Sequence, residues 1–384
     1  MGRERKVKES ITSAKRVLIK IGSGVIASED GFIREDIIDS IMEDVSWLMR
    51  SGREVILVSS GAIACGMNIM GFKVKPAEIP KRQALAAIGQ ALLMRIYEKY
   101  AIRRGLKVAQ ILLTREDVNH RIRFINARNT VLELLKWGVV PIVNENDTVA
   151  VEEIKFGDND TLSALVAIMM DVNLVVMLST VEGLYTSNPL LDRNAKLISY
   201  LDCSRDLDIS SFDVKGFSTF GSGGMGSKLL AIRQLVNMGI PAVITKGEKN
   251  AIRALFEEGL RGTFFDPCEK KRLSLRKAWL RMASKSTGKI VIDEGAVNAI
   301  LKSGKSLLPS GIVDVVGDFD MGDVVVIVDT KGEEIAKGIV NYSGDEVRRI
   351  KGLKSSEIES VLGYKTTDEV IHRDNLVVIS SEMG

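Results

Sequence analysis

Short apolar runs punctuate the first two thirds of this chain. Residues 17–21, 54–58, 107–112, 139–143, 174–178 and 242–245 are rich in β-branched residues and apolar at successive positions. Continuous rather than alternating apolar character predicts parallel strands buried on both faces. Between these runs, residues 35–50, 82–103, 124–137, 161–170 and 227–238 carry helical patterns. Such alternation predicts an α/β domain in which helices sandwich a mostly parallel sheet, closing near Phe265. Ligands of these sheets bind in loops beyond the carboxyl ends of the strands. The glycine turns after Ile21, Val58 and Leu178, and the loop after Val143, occupy that kind of position.

The texture then changes. Residues 269–289 hold eight basic residues and one acid, the composition of a linker or docking segment. Beyond them the runs KIVID, GIVDVVG, GDVVVIVD, EIAKGIVNY and NLVVIS are short and split by glycines, which predicts a small β-barrel-like domain.

Composition narrows the classes. Hydrophobic content of 45%, charged content of 27% and a net charge of +3 describe an ordinary globular protein. Near-neutrality gives no global argument for nucleic acid, so such a role must rest on a local patch. Cys65, Cys203 and Cys268 are far apart, form no CxxC, and have neither His120 nor His372 at metal-ligand spacing. A disulfide framework or structural zinc is not expected, and a reducing compartment fits. The start is basic, but the apolar run VLIKIGSGVI after it is interrupted by Lys20 and too short for a signal peptide. Asp171 and Asn173 break the most apolar window, so no membrane span and a cytoplasmic location are expected.

Candidate chemistry lies in the turns. GSGGMGSK, residues 221–228, places four glycines before an amphipathic helix, so backbone N–H groups and Lys228 could face an anion. The other reading is a flexible loop with a solvent-facing lysine. Lys20 interrupts an apolar strand just before Gly22–Ser23–Gly24. A buried lysine needs a partner, either a structural carboxylate or a ligand phosphate with a carboxylate nearby. Ser59 and Ser60 follow another strand, as ligand hydroxyls or as a helix N-cap. Between Asn144 and Ala164 lie Glu145, Asp147, Glu152, Glu153, Asp158 and Asp160. One helix cap explains one of them; several carboxylates this close need a shared cation, whether substrate ammonium, lysine or magnesium. Acids for an ammonium, with lysines and glycines for phosphates, suggest phosphoryl transfer to a small amino acid.

LIKIGSGVI, VSSGAIACG, INEND (here VNEND), FGDNDTLSA, EGLYTSNP and GSGGMGSK together resemble the glutamate 5-kinases of the amino acid kinase superfamily. GKSLLPSGI, GDVVVIV, IAKGIVNY and EVIHRDN resemble the PUA domain attached to many bacterial members. The match runs in order from about residue 15 to 376. It implies a kinase domain over 1–268, a basic linker over 269–286, a PUA-like domain over 287–376 and a tail over 377–384. It further implies that Lys20 and Lys228 contact ATP phosphates and stabilise the transferring group, with Asp160 orienting both. Ser60, Asp147 and Asn159 would bind L-glutamate. Ser179 and Thr180, with Ser222, Gly223, Gly224, Met225, Gly226, Ser227 and Lys228, would line the nucleotide site. The family often has Thr-Asp where this chain has Ser179–Thr180.

The resemblance implies ATP-dependent phosphorylation of the L-glutamate γ-carboxylate, the first step of proline synthesis, with Mg2+ carried by the nucleotide. With a reference pKa of about 4.3 that carboxylate is already ionised, so no general base is needed. No dedicated protein metal site is expected. Proline feedback and homo-oligomeric assembly are expected from the family. The nearest rivals are kinases of the same fold acting on acetylglutamate, aspartate or carbamate. The acid-rich region around Asp147–Asp160 favours a substrate with a free amine. A rival of another class is RNA binding, because PUA domains often bind RNA and residues 270–289 are basic.

Overall fold

The computed structural model of the protein describes residues 2–28, 32–150, 159–189, 191–202, 224–267, 280 and 286–379. The chain divides into two compact units, residues 1–118 with 122–272, and residues 119–121 with 273–384.

The first unit is built on eight strands. They are β1 (Arg16–Ile21), β2 (Glu54–Ser59), β3 (Lys107–Leu113), β4 (Val139–Glu145), β5 (Leu174–Ser179), β6 (Tyr200–Asp202), β7 (Ala242–Lys246) and β8 (Thr263–Asp266). In space they run β3-β4-β2-β1-β5-β7-β8-β6. Every neighbouring pair is parallel except β7–β8. The six predicted strands and the five predicted helices are all present, displaced by at most three residues at either end. Four of the six strands are buried along nearly their whole length, as their unbroken apolar character requires.

Edge strand β3 departs from the expectation. Only Leu113 of its seven residues is buried, because β4 is its sole strand neighbour among the described residues and one flank has no sheet beside it. The helix Gly2–Thr12, with Val7 and Ile11 buried one turn apart, lies where the sequence shows only a basic start.

Two glycines set how two helices meet. A Cβ on Gly89 would lie 1.9 Å from the Ala62 carbonyl oxygen, and one on Gly66 would lie 1.9 Å from that of Leu85. These positions let the helix Ile79–Ile102 press backbone to backbone on the helix Ala62–Met70. That contact carries Gln90 toward the end of β4.

The second unit is a five-stranded mixed sheet, ordered β10-β9-β11-β12-β13. Its strands are β9 (Gly288–Ile292), β10 (Ile312–Val316), β11 (Val324–Val328), β12 (Glu334–Ile339) and β13 (Leu376–Val378), matching the five predicted runs. It has its own core, centred on Ile290, Ile327, Tyr342 and Ile371. Asp293 caps the helix Glu294–Ser303, and Ser343 with Glu346 forms a capping box on Gly344–Ile350.

Candidate active site

Strand order dictates where a ligand can go. From β1 the chain moves to β2, out to the edge at β3 and back to β4 between them, then adds β5 on the other side of β1. Loops leaving β1 and β5 therefore diverge, opening a crevice at the carboxyl ends of the central strands.

Lys20 sits on β1 opposite Val58 and Met177, walled by strands on both sides, and is only 3% exposed. Its ammonium pairs with Asp160 Oδ1. Lys228, 5% exposed in the first turn of the helix Met225–Asn237, lies 3.3 Å from Asp160 Oδ2. Ser227 Oγ lies 2.6 Å from that same oxygen. One fully buried carboxylate thus gathers two lysines. Burial pushes the Asp160 carboxyl up, but Lys20 and Lys228 outweigh it and hold it at about 2. Lys228 is driven down to about 8 by burial and by Lys20, against the pull of Asp160. Among the described residues, two lysines thus share one buried carboxylate, an arrangement suited to receiving an anion.

Glycines stand close to both lysines in the chain. Gly22 N–H donates to the Leu178 carbonyl at 3.1 Å, and a Cβ on Gly22 would sit 3.9 Å from Lys20 Nζ. A Cβ on Gly24 would meet Thr180 Cγ2 at 2.8 Å. Ser179 is buried at the end of β5 and Thr180 is exposed just beyond it. Gly224 precedes the first helical residue, Met225, without a side-chain cap. Ser222, Gly223, Asp158, Glu152, Glu153, Cys203, Cys268 and all of the linker but Leu280 and Ser286 lie outside the described residues.

A second cluster lies beside the first. Asn159, adjacent to Asp160, donates its Nδ2 to the Ser59 carbonyl at 3.1 Å, to Ser60 Oγ at 3.1 Å and to Asn144 Oδ1 at 3.0 Å. Ser60 therefore faces the site. The N-cap alternative for the two serines fails, because Gly61 in the left-handed region precedes the helix Ala62–Met70. Ser59 is fully buried and hydrogen-bonds the Tyr97 hydroxyl at 2.8 Å. Asp147 is partly buried; burial raises its carboxyl to about 6 against the nearby charges of Lys75 and Arg82. The sequence reading singled out neither of these two cations.

The sequence reading missed Asn144 and Gln90. Asn144 sits within the quoted acidic stretch, where a polar residue ending a buried strand was an available signal. Gln90 is an unremarked polar position in a long helix.

The model of the Amino acid kinase family matches residues 15–246, and that of the PUA domain matches residues 288–362. The chain belongs to the amino acid kinase family. Within it, the chain is 45% identical over 367 residues to a glutamate 5-kinase of Thermoanaerobacter sp. strain X514, covering 95% of this chain and 98% of that one. It is 47% identical over 371 residues to a glutamate 5-kinase of Geobacter sulfurreducens, covering 96% and 99%. A UMP kinase from Bacillus anthracis is similar to it at 18% identity with a TM-score of 0.47, over 66% of this chain and 97% of that chain. Lys20, Asp160 and Lys228 all lie within the matched kinase segment. Among the described residues of this kinase no helix is long and apolar enough to cross a membrane.

Proposed function

We propose that the protein transfers the γ-phosphoryl group of ATP to the γ-carboxylate of L-glutamate, giving L-glutamyl 5-phosphate, the first step of proline synthesis. The observation that carries the reading is Asp160 held between Lys20 and Lys228 in a chain about 45% identical to glutamate 5-kinases along nearly its full length.

An ionised γ-carboxylate oxygen attacks phosphorus, the bond to ADP breaks, and no proton need move. Catalysis is then alignment plus cancellation of charge on the phosphoryl oxygens. In this proposal Lys20 and Lys228 supply that cancellation and Asp160 keeps both in place. Gly224, Met225, Gly226 and Ser227 receive the nucleotide together with Ser179, Thr180, Ser222 and Gly223. Mg2+ arrives on ATP as part of the substrate and lowers the charge of its phosphates. Ser60, Asn159 and Asp147 hold glutamate, with Asp147 facing the ammonium.

Cytoplasmic location, proline feedback and homo-oligomeric assembly are the finer parts of the same proposal. The half-exposed edge strand β3 supports assembly, since an open sheet edge calls for cover. An RNA contact through the second unit is a separate proposal supported by the PUA match. Its retention should weaken steeply with salt.

The deciding experiment offers ATP with L-glutamate, acetylglutamate, L-aspartate or carbamate and follows ADP release. ADP release that depends on L-glutamate, with an acyl phosphate trapped by hydroxylamine, is the expected result. Preference for any of the other acids would overturn the substrate.

A further inference from the structure

We propose that Gln90 is a specificity-determining residue of the acceptor site, with its side-chain N–H2 reserved for the α-carboxylate of the amino acid. The proposal rests on the reading of the function given above.

The argument begins with a group that cannot be turned round. The Glu145 backbone N–H donates to Asn144 Oδ1 at 2.9 Å, so that end of the Asn144 amide must be its oxygen. Asn144 Nδ2 therefore points the other way, and it meets Gln90 Oε1 at 2.9 Å. The Ser59 carbonyl, an acceptor only, likewise fixes Asn159 Nδ2. Three amides are thus ordered in series by backbone groups at two points.

Two polar atoms are left over. Asn159 Oδ1, an acceptor, and Gln90 Nε2, a donor, are buried without a hydrogen-bond partner among the described residues. Burying such a group unpaired is costly, and native proteins leave few of them. One acceptor and one donor form the complement of an α-amino acid, whose ammonium donates and whose carboxylate accepts. Location agrees. Gln83 and Gln90 stand seven residues apart, two turns along one helix face. Gln83 Nε2 donates to the Ala150 carbonyl at 3.4 Å and Gln90 accepts from Asn144, so this face borders the strand end and loop that carry Asp147. The close approach at Gly89 keeps Gln90 there.

Gln90→Glu separates the two ends of the side chain. A carboxylate still accepts from Asn144 Nδ2, but it offers no donor and repels the α-carboxylate. The experiment compares kcat/KM for L-glutamate with that for its α-amide, which keeps the ammonium and the γ-carboxylate. In Gln90→Glu the ratio of glutamate to α-amide should fall at least tenfold from the wild-type ratio, with the KM for ATP unchanged. Gln90→Leu, which loses the donor without adding charge, should lower the ratio less. It provides the test if the charged variant does not fold. A ratio within twofold of wild type in an active, folded variant overturns the assignment of Gln90 alone. Wild-type protein inactive on glutamate overturns the function, and this assignment with it.

Discussion

Lys228 reaches Asp160 at 3.3 Å on the carboxylate oxygen opposite the one that Lys20 engages. The two lysines enter from different elements, a central strand and the first turn of a helix that follows a glycine turn. With all three side chains buried, the lysines are fixed charges rather than mobile surface ones. Fixed charge needs no reorganisation when negative charge develops, which is the condition under which electrostatic catalysis is strongest.

Lys228→Ala should therefore lower kcat by about 10²-fold or more, roughly 2.7 kcal/mol of transition-state stabilisation. Folding should persist, because Lys20 still pairs with Asp160 after Lys228 is gone. Steady-state kinetics with a thermal melt checks both. Near wild-type turnover in the folded variant would remove Lys228 from the proposed machinery.

Asp160→Asn should behave differently, since it leaves two buried cations without their shared anion. Removing one partner from a buried charge cluster typically costs about 3–5 kcal/mol. The expected outcome is a lower urea midpoint together with loss of turnover, and adding Lys20→Met should restore part of the lost stability. An unchanged midpoint would mean that the carboxylate does not hold the lysines together in solution.

The pH dependence follows from two groups. Asp147, raised to about 6 by burial, must ionise to face an ammonium, so kcat/KM for glutamate should rise with pH through about 6. Lys228, lowered to about 8 by burial and by Lys20, loses its charge above that value, so the same parameter should fall through about 8. Asp147→Asn should abolish the acid limb and raise the KM for glutamate far more than that for ATP. An acid limb that survives the substitution, or an effect on ATP alone, would move Asp147 out of the acceptor site.

A chain ending at residue 272, where the first compact unit ends, should fold cooperatively and phosphorylate glutamate. Every proposed site residue lies before residue 229. Calorimetry and the ADP-release assay on the truncated protein test this. A soluble, cooperatively melting but inactive chain would show that the second unit is needed to complete or hold the site.

Much of this protein was determined by the sequence alone. Parallel strands buried on both faces must be apolar throughout, so β1, β2, β4, β5 and β7 were legible to within two residues, and the five runs of the second unit to within three. A lysine inside such a strand had to have a partner, and Lys20 was marked on that ground. Which partner was beyond local pattern. Asp160 is on a distant helix, and only the path of the chain around the sheet brings it to Lys20 and Lys228 together. The two serines after β2 show the same division. Their place at a strand end was readable, but Gly61 and the amide of Asn159 decided that Ser60 faces the site. Gln90 was invisible for a simpler reason. A glutamine on a helix carries no sign of burial, and its role comes from helix packing at Gly89 and from amides fixed by backbone groups elsewhere. Local hydrophobic spacing records which face is buried; hydrogen-bond direction among buried polar groups is set only when distant segments meet.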